Sequence, residues 1–415
     1  MRVGPFIAVE SNSYPRPNAS PDGRGAKAAI MLQARFHSSF AEIEAPAWNA
    51  LLPEDNPFVD HAFLCGLEQH GCLQSDYGWE PFHLCLYDDS KLVAASPQYI
   101  KTNSHGEYVF DWSWASAYAR SGLDYYPKLL SAVPYSPVTG PRLLVGKSPD
   151  AQSLRIALRD TMRTAATQAG WSSAHVNFTL PDEVQAFSND EWLARFDWQY
   201  HWRNPGWRDF TDFLDALTSK KRKNIRQERE RVARAGVQCE ILHGDEMSAD
   251  DWRMLHRLYR LTFAEKGNHA ALTLPFFRHL GKTMPRRVLA VFARRGSETI
   301  AAALLLRSSH TLYGRYWGCS EQVAGLHFEV CYYQGIEYCL KNGLTTFEPG
   351  AQGEHKVSRG FLPTMTHSFH YVRDPRFRAA VRDALAREGE ALRAYREELL
   401  EHSPYVTSDD STLRL

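Results

Sequence analysis

Each half of this chain runs through the same series of apolar segments, turns and a helix, and few folds can accommodate such a series twice. In the first half, residues 82–86 read as a strand, Asp88-Asp89-Ser90 as a turn, 92–100 as a second strand and 107–112 as a third. In the second half, residues 288–293, the Arg294-Arg295-Gly296 turn, 300–306 and 311–317 repeat that order. The third strands share spelling: Ser104-His105 precedes Tyr108 and Trp112, and Ser309-His310 precedes Tyr313 and Trp317 at the same spacing. Each series then enters a helix and a further strand, 153–169 with 175–180 and 326–342 with 345–348, with Ala169-Gly170 and Asn342-Gly343 as helix stops. Ahead of the second series, Trp252, Leu255, Tyr259, Thr262 and Phe263 share a helical face, and 276–284 supplies a shorter helix.

Strand, two helices, three antiparallel strands, helix, strand is the order of the GCN5-related acetyltransferase (GNAT) fold. The expectation is an α/β chain with mixed α+β sheets, two GNAT-like domains in tandem, and a long C-terminal helix over 378–401. The chain has 415 residues, enough for two full cores. The expected division is a disordered leader at 1–33, rich in proline and glycine, an N-terminal domain at 34–204 and a C-terminal domain at 205–415. The 48 basic and 48 acidic side chains cancel, so any preference for a charged partner must be local. Seven scattered cysteines without C-x-x-C pairs predict reduced thiols, and no apolar run approaches membrane-spanning length, which predicts a cytoplasmic protein.

The segment from Phe347 to Phe361 concentrates chemistry. A strand ending in Glu348 opens into Pro349-Gly350, Gln352, Gly353, then Glu354, His355 and Lys356, with Arg359 beyond. An acid, an imidazole and a cation in succession after a strand suit acid/base work on an amine, although a solvated glycine-rich turn has the same composition. The helix over 326–342 is apolar nearly all round, so His327 and Glu329 in its first turn need partners or a role. On the third strand, alternation puts Tyr313, Arg315 and Trp317 on one face with Tyr316 opposite, an arrangement fit for an anionic or planar ligand or for packing. In the first half, Trp112, Trp114, Tyr118, Tyr125, Tyr126 and Lys128 lie in a long aromatic insertion read as a substrate-lining lid. The run Lys220, Lys221, Arg222, Lys223 and Arg226 forms a basic helix able to hold phosphates, or else a solvated face. Zinc-site spacings, H-E-x-x-H, G-x-S-x-G and phosphate-loop motifs are all lacking, so the sequence predicts no metal site.

With these residues in view, the chain resembles the FemAB-like N-acyltransferase family of peptidoglycan biosynthesis or recognition proteins. The likeness runs from Ala34 to about Tyr405 and is most specific at 108–114, 122–128, 313–319, 327–334 and 347–361. It implies tandem acetyltransferase-like domains. The basic run followed by Gly236-Val237 also looks like the junction of tRNA-dependent Fem transferases. One departure bears on the donor: where acyl-CoA-dependent relatives place a glycine-rich loop with a flanking cation, this chain reads Cys319-Ser320-Glu321-Gln322-Val323-Ala324-Gly325. That favours aminoacyl-tRNA over acyl-CoA (acetyl-CoA), with no tightly bound cofactor.

The expected activity is transfer of an acyl or aminoacyl group to an amine on a small molecule or peptidoglycan precursor. Catalytic candidates are Glu348, Glu354, His355 and Lys356. Substrate candidates are the six insertion residues with Arg315, Tyr316, Trp317, His327, Glu329, Tyr333, Gln334, Gln352 and Arg359, and the basic run is the phosphate or tRNA site. The rival reading is a non-catalytic module that binds a cell-wall precursor or RNA.

Overall fold

The computed structural model describes residues 13–14, 30–350 and 353–406. The chain divides into two compact units, residues 1–197 with 366–390 and residues 198–365 with 391–415. Against the expected division, residues 198–204 fall in the second unit and 366–390 in the first.

In the C-terminal unit the strands run in the order Val237–His243, Val288–Arg295, Glu298–Arg307, Thr311–Cys319, Thr346–Glu348 and then the end of Trp192–Arg203. Neighbours are antiparallel except Thr311–Cys319 and Thr346–Glu348, which are parallel and joined by the helical segment 326–342. Val288–Arg295 and Glu298–Arg307 are apolar almost throughout because helices cover both faces of the sheet. Leu289, Val291, Ala303 and Leu305 pack with Val330, Tyr333 and Ile336 of that segment. Ala249–Glu265 lies against strands Glu298–Arg307 and Thr311–Cys319. It begins with a reciprocal cap, Ser248 receiving the Asp251 amide at 3.2 Å while Asp251 receives the Ser248 amide at 2.9 Å. Close approach of this helix needs Gly318, where a Cβ would lie 2.0 Å from the Leu258 carbonyl oxygen.

The N-terminal unit repeats the order: Ile30–His37, helices Ala45–Asn49 and His61–Gln69, His83–Asp88, Lys91–Ser96 leading into Gln98–Lys101, Lys128–Ser131, helix Ala151–Gln168, Ser173–Thr179. Pro97 has no N–H to donate, and at that residue the chain leaves one ladder, against His83–Asp88, and joins another, against Lys128–Ser131. Lys128–Ser131 and Ser173–Thr179 are the parallel pair.

Two expectations are corrected here. The third strand of the first series is Lys128–Ser131, within the supposed aromatic insertion, and residues 107–112 form no strand. Gly106 and Tyr108 take φ of 76° and 62°, which ends any extended run, and helix Trp112–Arg120 follows. The shared Ser-His pair follows the second strand in both units, but Tyr108 and Trp112 lie outside any strand whereas Tyr313 and Trp317 lie in Thr311–Cys319. Leu32 and Gln33, expected within the leader, lie instead in Ile30–His37, paired with Asp88 and Tyr87. Ser13–Tyr14 pair with that strand, and the remainder of the segment expected to be disordered lies outside the described residues. The long C-terminal helix spans Pro375–Glu401. Among the described residues, no helix is long and apolar enough to cross a membrane, and all seven cysteines are free thiols.

Candidate active site

In the C-terminal unit the parallel strands stay paired for three positions only, ending at Tyr313 opposite Glu348, and then part. At this point Leu304 pairs with Tyr316 but Leu305 with Gly314, so Arg315 is the extra residue of a β-bulge. The bulge shifts the alternation. Tyr313 and Tyr316 share one face, with Leu306 and Leu304, whereas Trp317 shares the other with Ala303. The expected common face for Tyr313, Arg315 and Trp317 is therefore corrected. Tyr316 meets Tyr259 and Phe263, and Trp317 meets His327.

Around the opening between these strands, charge is buried with an excess of cations. The Arg315 side chain is 3% exposed and its guanidinium lies 3.6 Å from the Glu348 carboxylate. Lys356 is 2% exposed and donates to the Gly350 carbonyl at 2.5 Å. His201, from the adjacent strand, hydrogen-bonds Gln199 at 3.3 Å. Burial pushes the Lys356 ammonium down to about 7; Arg315 adds to the shift and the Cys331 thiol opposes it. Burial, with Arg203, Arg315 and Lys356 nearby, holds His201 down to about 3, so its imidazole is neutral. Burial also lowers Arg315, which still keeps its proton because guanidinium is so basic. Arg315 thus faces a carboxylate, while Lys356 lies buried in the field of Arg315.

The segment expected to be an open loop is partly a 3-10 turn, Glu354–Arg359, and this sorts its candidates. Lys356 points inward. His355 is largely exposed, accepts or donates at the Tyr332 hydroxyl (2.8 Å) and lies near the His327 ring. Burial, then Arg359 and Lys356, lowers His355; burial and the same cationic neighbourhood lower His327 to about 4. Glu354 is exposed and meets the Tyr395 hydroxyl, away from Lys356. Gln352 lies outside the described residues.

The 326–342 segment is interrupted by a π-helical stretch, Glu329–Tyr333, of the sort often found at functional sites. Glu329 is no helix cap: it pairs with Arg229 and accepts from Gln334 at 2.7 Å. Tyr333 and Arg359 both bind Glu228 of the basic helix.

The basic helix, Ser219–Arg234, is two-sided. Ile225, Glu228, Arg229 and Val232 form the inner stripe, at the spacing of one helical face. An open depression of about 430 Å³ lies along the outer side, bordered by Ser219, Arg222, Lys223, Arg226, Gln227 and Glu230. Arg222 is paired with Asp215 at 2.8 Å. Lys220, Lys223 and Arg226 are exposed, Lys221 half-buried, and none of the four makes an ion pair among the described residues.

The N-terminal unit holds a second buried charge cluster, only part of which sequence reasoning found. Lys128, fully buried, binds Asp111 at 2.5 Å, Glu107 at 2.8 Å and the Ser104 hydroxyl at 3.0 Å. Tyr125 donates to Asp111 at 2.6 Å, and Tyr126 meets Ser104 at 2.7 Å. Burial would lower Lys128, but its two carboxylates outweigh that and raise it. Burial raises Glu107 to about 7, whereas Lys128 and neighbouring donors overcome burial and hold Asp111 below the usual carboxylate range. His175 and His370 share an Nδ1 to Nδ1 hydrogen bond of 2.6 Å beside the cluster. Trp114, Tyr118 and Tyr125 are core residues packed with Val372 and Val381 rather than the lining of a lid, and Trp112 is exposed. Glu107, Asp111, His175 and His370 carried no local signal, because what defines them is a long-range partner, Lys128 for the acids and each other for the imidazoles.

Among the described residues, no group of three His, Cys, Asp or Glu side chains is placed to hold a metal ion. The FemAB-like family, described as peptidoglycan biosynthesis/recognition, matches residues 39–407. No curated protein matches the sequence. Among solved structures, FemX aligns at TM-score 0.50 and 10% identity over 84% of this chain and 100% of its own. The C-terminal domain of a putative lysylphosphatidylglycerol synthetase from Agrobacterium fabrum aligns at 0.52 and 12% over 83% and 96%. At such identities these likenesses speak for the fold alone. With two GNAT-like units in tandem and a family match over nearly its whole length, the chain belongs to the FemAB-like family of acyltransferases.

Proposed function

We propose that this chain transfers an aminoacyl group from aminoacyl-tRNA to an amine of a peptidoglycan precursor, with the chemistry at Lys356 and Arg315. The observation that carries the reading is Lys356 itself, a buried amine whose charged form is disfavoured, beside a guanidinium that cannot lose its proton. Near neutral pH a fraction of Lys356 is the free base. It takes the proton released as the acceptor amine attacks the ester carbonyl. Arg315, steered by Glu348, stabilises the oxyanion of the tetrahedral intermediate. Collapse of that intermediate breaks the ester bond, and Lys356 returns its proton to the departing oxygen. An amide and a free hydroxyl result, with no net proton consumed. His201, held neutral, adds polarity without a further charge.

The choice of donor rests on the exposed cations on the outer side of the basic helix, without ion pairs among the described residues, and on the lack of a glycine-rich pyrophosphate loop at 319–325. The test offers purified protein an aminoacyl-tRNA pool or acetyl-CoA, each with a muropeptide bearing a free amine, and follows amide formation by mass spectrometry. Transfer from tRNA alone that is lost in Lys356→Met is the expected result. Transfer from acetyl-CoA alone would replace the donor, and full turnover by Lys356→Met would remove the site.

A further inference from the structure

The basic helix has a second role that its charge run conceals. Of the sixteen residues in Ser219–Arg234, only Glu228 and Glu230 are acidic. Glu230 pairs along the helix with Arg234. Glu228 turns inward. It accepts from Arg359 Nη2 at 2.5 Å and from Arg359 Nε at 3.2 Å, and it also takes the Tyr333 hydroxyl. Arg359 is then fully engaged: Nη1 donates to the His355 carbonyl at 2.8 Å and Nε to Tyr333 at 3.1 Å, while the guanidinium lies 3.4 Å from the Phe328 ring centre. The next residue, Arg229, binds Glu329 and Glu337 on the 326–342 segment. The two elements also meet through backbone at Gly325, with φ of 89°, where a Cβ would lie 2.9 Å from the Glu228 carbonyl oxygen.

These interactions converge on the turn that carries Lys356. On its N-terminal side that turn is reached through Gly350 and Gly353, at φ of 101° and 117°, where the backbone has the widest choice of direction. On its C-terminal side it is pinned by Arg359 and by the Tyr405 hydroxyl on the Gly360 carbonyl at 2.6 Å. We infer that Glu228 is a positioning residue for the transfer reaction: through Arg359 it fixes the 354–359 turn and so the place of the Lys356 amine, making the phosphate-binding helix and the reacting amine one assembly. The inference rests on the reading of Lys356 as the reacting group. Its consequence is that a donor seated on the outer side of the helix meets Lys356 at a set distance.

A merely structural ion pair would affect stability alone, so the test reads the reaction. Lys356 is faced by Arg315 from its strand, Cys331 and His327 from the helical segment, His201 from the neighbouring strand, and His355 from its own turn. Glu228→Gln leaves all of these in place. If the turn drifts, Lys356 meets water and its pKa climbs toward the ordinary lysine value. The variant should then lose about tenfold or more in kcat, keep its KM for aminoacyl-tRNA within about threefold because the outer cations are intact, and show the acid limb of kcat at higher pH. Glu228→Asp, which keeps the charge with a shorter reach, should fall between, and it decides the matter if Glu228→Gln does not fold. Wild-type kcat and an unmoved acid limb, alongside a lowered melting temperature, would overturn the inference. Lys356→Met separates the two ideas. If it is inactive while Glu228→Gln is normal, only the positioning role fails; if it is fully active, the reading beneath it fails.

Discussion

Three lysines are buried, Lys101 and Lys128 in the N-terminal unit and Lys356 in the C-terminal one, and Lys128 and Lys356 show how the same residue is used in opposite ways. Lys128 is enclosed by Asp111, Glu107 and Ser104, and its ammonium is stabilised above the ordinary range. Lys356 is as deeply buried but faces Arg315, and its ammonium is pushed down to about 7. A charge whose partners are at hand has nothing left to react with and serves to hold backbone together, here the 104–111 stretch against strand Lys128–Ser131. A charge that is buried and outnumbered is ready to give up its proton. The contrast supports architecture for Lys128 and chemistry for Lys356; Lys101, also pushed down to about 7 by burial, is held by the Tyr77 and His105 carbonyls at 3.2 and 3.3 Å and lies over the Trp79 ring.

The largest effect expected is on stability. Lys128→Met leaves Asp111 and Glu107 buried without their cation, which costs about 3–5 kcal/mol, to be read from urea denaturation. Whatever protein stays folded should keep near-normal kcat. A stable but inactive Lys128→Met would break the comparison, because it would put chemistry in the first unit. Next comes Lys356→Met, which removes a disfavoured charge from a buried place. It should melt no lower than wild type while losing about a hundredfold or more in turnover. The outer side of the basic helix should matter less. Lys220→Gln, Lys223→Gln and Arg226→Gln together should flatten the slope of log affinity for aminoacyl-tRNA against log salt, by about one unit for each phosphate no longer neutralised. An unchanged slope would make these cations a solvated face. The smallest effect is expected at Glu354, which is exposed and bonded to Tyr395. Glu354→Ala should stay within about 0.5 kcal/mol of wild-type stability with near-normal turnover, whereas a large fall in kcat would move the acid/base work outward along the turn.

What could be read from residues alone followed from local periodicity. The apolar runs, the helix stops at Gly170 and Gly343 and the amphipathic C-terminal segment report structure within a few residues of themselves, and the tandem fold was legible from them. Lys356 was legible as a candidate because it follows a strand end and two glycines. The third strand of the first unit was not, since residues 107–112 alternate plausibly until Glu107 and Asp111 are drawn to Lys128, a partner far along the chain. The β-bulge at Arg315 was equally hidden: it depends on the register of Glu298–Arg307 against Thr311–Cys319, and one extra residue moved Trp317 to the other face. Glu228 looked like an interruption in a basic run, and only the packing of the helix against Arg359 reveals its direction.

The central claim, that Lys356 works as a free base, is tested most directly by the pH dependence of kcat. Its pKa in the folded protein, about 7, lies below the ordinary lysine value, so the base form grows as pH rises through 7 and is lost below it. Wild-type kcat should therefore climb about tenfold per pH unit up to roughly pH 7 and then level off. In Lys356→Arg, whose guanidinium holds its proton throughout, the remaining activity should show no such limb. A wild-type profile that is flat from about pH 5.5 to 8, or a limb that persists unchanged in Lys356→Arg, would contradict the claim and point instead to His355 or His327.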